Sequence, residues 1–264
     1  MHPRSLPTGP GRVLPGAIGH NRGVVSRNYA FLPPEGVLPS RLPNFEATAV
    51  RFLAAPALGA GFAQALLEIA PGGGSRQPCA DTVQTFLYAV GGSAVLTVDG
   101  YPRMAFTPGG YAYVPPGCAF SLRNDADSTA KVLVLRKPYE AIDLPPPEPI
   151  VSHRSQVPRT NHLGMEGRAW QHLLPVGDMR FDMEMNILIF SPGVCFPAVE
   201  THIMEHGLYM LEGQGIYLLD TDWHEIWVED FIWMGPFCPQ QFYPTGYGEA
   251  AYLLYKNVNR EIAF

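Results

Sequence analysis

The sequence predicts an all-β protein made of two tandem barrels, and three observations carry that reading. Short apolar or alternating runs follow one another closely. They are broken by 27 Gly and 27 Pro in 264 residues, with no long stretch of helical period. The pattern then occurs twice. Ile69-Ala70-Pro71-Gly72 matches Phe190-Ser191-Pro192-Gly193, Gly92 matches Gly213 at the same offset of 121, and 109–120 matches 229–240 with Cys118 on Cys238. Such an internal repeat means two copies of one supersecondary unit. Finally, a stretch of low periodicity carrying a PPP run, 141–175, separates the copies.

Taken in order, residues 1–45 are rich in Pro and Gly and read as an extended arm or partial disorder. His2 and His20 lie there and are expected to be exposed without a role. Residues 46–140 carry TAVRFLAAP, GFAQALLEIAPGGG, TVQTFLYAVGGSAVLTVDG and AKVLVLRKPY, the strands of an N-terminal barrel. The linker 141–175 holds His153, His162 and His172, each read as a surface or packing residue. Strands resume over 176–264 with FDMEMNILIFSPG, THIMEHGLYMLEG, GIYLLDTD, HEIWVEDFIWMG and AAYLLYKNVN. Asp220 and Asp222 mark a turn, and Trp223, Trp227 and Trp233 read as core or rim aromatics.

Composition narrows the class. Apolar content of 47%, charge of 16% and a net charge of -6 describe a globular chain and argue against a nucleic-acid face. No apolar run reaches the ~18 residues of a membrane-spanning helix. Pro7, Pro10 and Pro15 interrupt the N-terminus, so no secretory leader is expected and the cytoplasm is the expected compartment. Cys79, Cys118, Cys195 and Cys238 show no CxxC spacing and read as reduced, mostly buried thiols.

The chemistry concentrates in 193–213, GVCFPAVETHIMEHGLYMLEG. Read as strand, Glu200 and His202 share a face, and His206 has the same parity if the strand runs on or bends through Met204-Glu205. Glu205 should point away. A fourth ligand is expected from the next hairpin: Gln240, with Gln241 as competitor. Two imidazoles, a carboxylate and an amide suit Mn(II) or Fe(II) better than a closed structural zinc site. Tyr217 follows on the next strand. Tyr252 and Lys256, four apart, share a strand face; a Lys turned into an apolar barrel calls for an anion or a proton-transfer role, against a Lys snorkelling at the rim. In the first half the same positions hold Cys79, Asp81, Thr85 and Phe120, a poor ligand set. That barrel is expected to hold no metal and to serve as scaffold and dimer surface.

The spacing Gly, six residues, Glu-x-His, three residues, His, six residues, Gly resembles the first motif of the cupin family, with Glu and His exchanged. The fold class is therefore two tandem cupin barrels of jelly-roll type. Together ExHxxxHG, LEGxGxY, PFxPQ and YLLYKxVNR resemble the (S)-ureidoglycine aminohydrolase family, bicupins of purine (allantoin) degradation. The likeness is closest from about Phe181 to Arg260. It implies Mn(II) held by Glu200, His202, His206 and Gln240, with Fe(II), Zn(II) and Ni(II) as alternatives. It also implies substrate contacts at Tyr217, Tyr252, Lys256 and Gln240, with Lys256 and Tyr217 as the catalytic residues, and a homo-oligomer from dimer to octamer. The implied reaction is hydrolysis of (S)-ureidoglycine to (S)-ureidoglycolate and ammonia. The rival readings are an Fe(II) dioxygenase and a non-catalytic metabolite-binding bicupin.

Overall fold

The computed structural model describes residues 22–80, 82–161 and 164–260. His2, His20, Asp81 and His162 lie outside the described residues. Among those described, regular structure is all strand apart from single 3-10 turns. The first half contributes β1 (Val24–Val25), β2 (Tyr29–Leu32), β3 (Phe45–Ala54), β4 (Ala63–Ser75), β5 (Val83–Gly91), β6 (Ala94–Val98), β7 (Met104–Phe106), β8 (Gly110–Val114), β9 (Phe120–Arg123) and β10 (Ala130–Pro138). There follow β11 (Ile150–His153), β12 (Thr160–Asn161), β13 (Arg168–His172), β14 (Met183–Phe190), β15 (His206–Glu212), β16 (Gln214–Leu219), β17 (Asp222–Trp227), β18 (Phe231–Met234), β19 (Gln240–Pro244) and β20 (Ala250–Asn257).

The chain divides into two compact units. One comprises, of the described residues, 39–80, 82–160, 171–186 and 256–260. Its sheet runs β11-β8-β5-β10-β4-β9-β6-β7, with β3 added alongside β4. Inward-facing Val50, Leu67, Ile69, Leu87, Leu96 and Val132 build its core. The alternation that put those side chains on one face is the pleat itself. Below it lies a buried polar knot: the Asp182 carboxylate accepts from Lys137 at 2.7 Å and from the backbone N–H of Glu140 at 3.0 Å. Gln84 also donates to Asp182, and Tyr113 donates to Gln84 at 3.1 Å. A carboxylate so fully surrounded by donors offsets the cost of its burial.

The other unit comprises, of the described residues, 22–38, 161, 164–170 and 187–255. Its sheets run β1-β2-β18-β15-β20-β14-β13-β12 and β17-β16-β19. Phe190 packs against Phe196, Phe242 and Tyr252 with ring centroids 5.0–5.6 Å apart. These rings, with Leu188, Leu208, Met210 and Ile226, form the core.

Two segments carry more order than their composition suggests. Within the arm expected over 1–45, β1 and β2 extend a sheet, β2 pairing with β18 through Ala30↔Trp233 and Tyr29↔Met234. Arg22 clamps this segment down. It bonds Glu35 at 2.8 Å and Asp230 at 2.9 Å, over the Trp227 ring at 3.9 Å. Within 141–175, β11 pairs with β8, and β12 and β13 take the end of the eight-stranded sheet. The thiols require a correction: Cys238 is buried, but Cys79, Cys118 and Cys195 are half-buried, because each lies outside the regular strands.

Candidate active site

The repeat reappears as geometry. Gly72 and Gly193 have φ of +75° and +76°. A Cβ on Gly92 would lie 2.3 Å from the Thr129 carbonyl oxygen, and one on Gly213 would lie 2.6 Å from that of Glu249. Thr85 pairs with Val114 as His206 pairs with Met234. An isolated two-residue bridge joins Cys79 to Phe120, and another joins Glu200 to Gln240. The positions of the expected ligands Glu200, His206 and Gln240 correspond in the other half to Cys79, Thr85 and Phe120.

The expected strand through Glu200 and His206 bends. Residues 201–205 have no ladder partners and His206 opens β15. Phe237 N–H donates to the His202 carbonyl at 2.7 Å, and the Thr201 hydroxyl donates to the Phe237 carbonyl at 3.3 Å. This pins His202 against the turn between β18 and β19. Glu205 is turned to Trp233, whose indole N–H donates to it at 2.7 Å.

Three of the expected ligands converge. His202 Nε2 lies 3.2 Å from His206 Nε2 and 3.0 Å from Gln240 Nε2. His206 Nδ1 lies 3.1 Å from the Tyr255 carbonyl oxygen. A carbonyl only accepts, so Nδ1 carries the proton and Nε2 presents its lone pair toward the cluster. Tyr217 Oη lies 3.2 Å from Gln240 Oε1. Glu200 is placed by reciprocal backbone bonds to Gln240, both 2.9 Å, and its charge acts on Tyr217 and Tyr252. Among the described residues no three His, Cys, Asp or Glu side chains form a ready-made metal cage; the close set is two imidazoles and one amide. Of the two glutamines, Gln241 turns away and donates to the Phe196 carbonyl at 2.8 Å.

Burial pushes the Tyr217 phenol well up, with the Glu200 charge adding to it. Burial does the same for Tyr252, joined by Tyr217 and Glu200. Both remain protonated donors at neutral pH. Lys256 is half-buried and lies on the Tyr252 face of β20 by strand parity. Sequence reasoning missed Arg168, at the start of β13, a buried residue whose guanidinium lies 5.0 Å from the Phe196 ring centroid. No motif or periodicity marked it.

Fold and repeat define the class: a bicupin. The cupin domain model matches residues 65–136. The (S)-ureidoglycine aminohydrolase of Escherichia coli is 34% identical over 245 residues, 92% of this chain and 93% of that protein. Its Arabidopsis thaliana namesake is 34% identical, covering 92% of this chain and 80% of the relative. The crystal structure of protein Ylba from E. coli superposes with a TM-score of 0.83 at 31% identity, over 92% of this chain and 97% of that one. The chain belongs to the (S)-ureidoglycine aminohydrolase family, a family of hydrolases.

Proposed function

We propose that this chain hydrolyses (S)-ureidoglycine to (S)-ureidoglycolate and ammonia, in purine (allantoin) degradation, with Mn(II) bound in its second barrel. The reading rests on the convergence of His202, His206 and Gln240 beneath Tyr217 in a chain related to those aminohydrolases over nine-tenths of its length. The donor set fits a divalent metal. His206 has its Nε2 lone pair turned to the cluster by the Nδ1 bond to the Tyr255 carbonyl, and His202 Nε2 lies 3.2 Å from His206 Nε2 and 3.0 Å from Gln240 Nε2. Turning the Gln240 amide over would face its oxygen to the imidazoles and let its NH2 donate to Tyr217. Glu200, His202, His206 and Gln240 would hold the ion, which supplies Lewis acidity and an anchoring charge.

The chain's own groups do the rest. Tyr217 and Tyr252, held as phenols by burial, donate hydrogen bonds to the ureido or amine groups and cannot act as bases at neutral pH. Lys256 pairs with the carboxylate or relays a proton. The test is ammonia release from freshly generated ureidoglycine under anaerobic conditions, with metal analysis of the purified protein. Ammonia without oxygen supports the hydrolase. Oxygen uptake with no ammonia would establish the dioxygenase instead, and tight binding without turnover a metabolite-binding bicupin.

A further inference from the structure

Arg168 is 3% exposed, and among the described residues none of its three guanidinium nitrogens has a hydrogen-bond partner. Arg cannot shed its charge, and its N–H groups form a rigid fork suited to a carboxylate. A buried cation with an unsatisfied edge is costly. The Phe196 ring, 5.0 Å away, attends to the cation but leaves the N–H groups without acceptors. The placement is over-determined. Ser191 N–H donates to the Gly167 carbonyl at 2.8 Å. A Cβ on Gly167 would meet Val194 at 2.8 Å, so the chain is closely packed just before Arg168.

The surroundings belong to the site already described. Phe196 packs on Phe190 at 5.3 Å, and Phe190 on Tyr252 at 5.6 Å. Tyr252 lies 6.4 Å from Tyr217 between ring centroids, and Tyr217 reaches Gln240. The Arg168 charge also opposes the upward push on the Tyr252 phenol.

We propose that Arg168 is a substrate-binding residue of the second barrel, its unsatisfied N–H edge receiving the carboxylate of a small α-substituted acid while Phe196 supports the cation. This rests on the ureide-hydrolase reading for the identity of the acid, and of the two roles open to Lys256 it leaves the proton relay. Arg168 sets specificity for a charged carboxylate. A neutral amide would leave the guanidinium unpaired and be refused.

The probe is N-carbamoylglycine, which keeps the carboxylate and ureido group but lacks the α-amine, compared with its neutral amide by calorimetry on the metal-loaded protein. The wild type is expected to bind the acid at least about tenfold tighter than the amide, the lower end for a hydrogen bond to a charged group. Arg168→Met is expected to erase that preference, and Arg168→Lys to recover part of it. Without ligand, Arg168→Met is expected to keep or raise Tm, since an unpaired buried charge is replaced by an apolar chain. A purely structural Arg would lower Tm and weaken acid and amide alike. Equal binding of acid and amide by the wild type overturns the proposal, and so does an Arg168→Met protein that keeps its acid preference. If Arg168→Met does not fold, the wild-type comparison and Arg168→Lys decide. A wild type that prefers the acid yet releases no ammonia from ureidoglycine discards the reaction and keeps the carboxylate site.

Discussion

Tyr217 shows how one side chain ties burial to chemistry. Its ring packs on Phe242 at 5.7 Å, and its hydroxyl meets Gln240 at 3.2 Å and the Tyr252 hydroxyl. Tyr217→Phe removes these polar contacts and leaves the packing. Ammonia release should fall about 10²-fold, the scale for deleting one oriented donor, with metal content unchanged; loss of the metal would show that Tyr217 acts by holding Gln240. Lys256→Met should likewise abolish turnover and keep the metal. His224 reports on pH. Desolvation lowers its pKa, Asp222 opposing, and it sits against the Tyr29 hydroxyl at 3.3 Å and the Phe31 ring at 5.2 Å. The folded state therefore binds this proton less tightly than the unfolded state. The neutral imidazole's contribution is complete above the ordinary histidine pKa and is lost as pH falls below it. His224→Gln should flatten the slope of Tm against pH between about 7 and 5, and an unchanged slope would remove His224 as its source.

At the scale of the element, the paired glycines separate two costs. Gly193 has φ +76° with nothing within 4 Å of a Cβ, whereas Gly213 has φ +75° and a Cβ would meet Glu249 O at 2.6 Å and Ala250 Cα at 2.8 Å. Gly193→Ala should lose about 1–2 kcal/mol, the left-handed penalty alone. Gly213→Ala adds a backbone collision and should lose clearly more by urea unfolding; equal losses would mean the β20 edge simply yields. These glycines were legible in the sequence because a turn that needs φ > 0 leaves a residue-type signature. The strands were legible for a related reason: the pleat forces alternation. The order in 24–32 was not, since β2 is held by pairing with β18 and the segment by the Arg22 bond to Asp230, partners far away in sequence. The bend at 201–205 was hidden for the same reason, its anchor being the Phe237 turn. Arg168 left no trace at all, because an unpaired cation is visible only when its neighbours are known.

For the whole molecule, duplication followed by divergence makes the two halves internal controls for each other. Both keep the two-residue bridge, at Cys79–Phe120 and Glu200–Gln240, and both keep the ladder at Thr85 and His206. Only one half offers imidazoles there; Phe120 has no donor atom and Thr85 offers a neutral hydroxyl, a weak ligand for a divalent ion. Elemental analysis should therefore find about one metal per chain, lost in His206→Ala and retained in Cys79→Ser. Because a ligand bound to the folded state alone stabilises it by mass action, ~4 kcal/mol at about 1,000 times its Kd, chelation should lower the Tm of the wild type. It should leave that of His206→Ala unmoved. Two metals per chain, or a metal removed by Cys79→Ser, would mean that the first barrel has kept a ligand set of its own and that the division of labour between the halves is wrong.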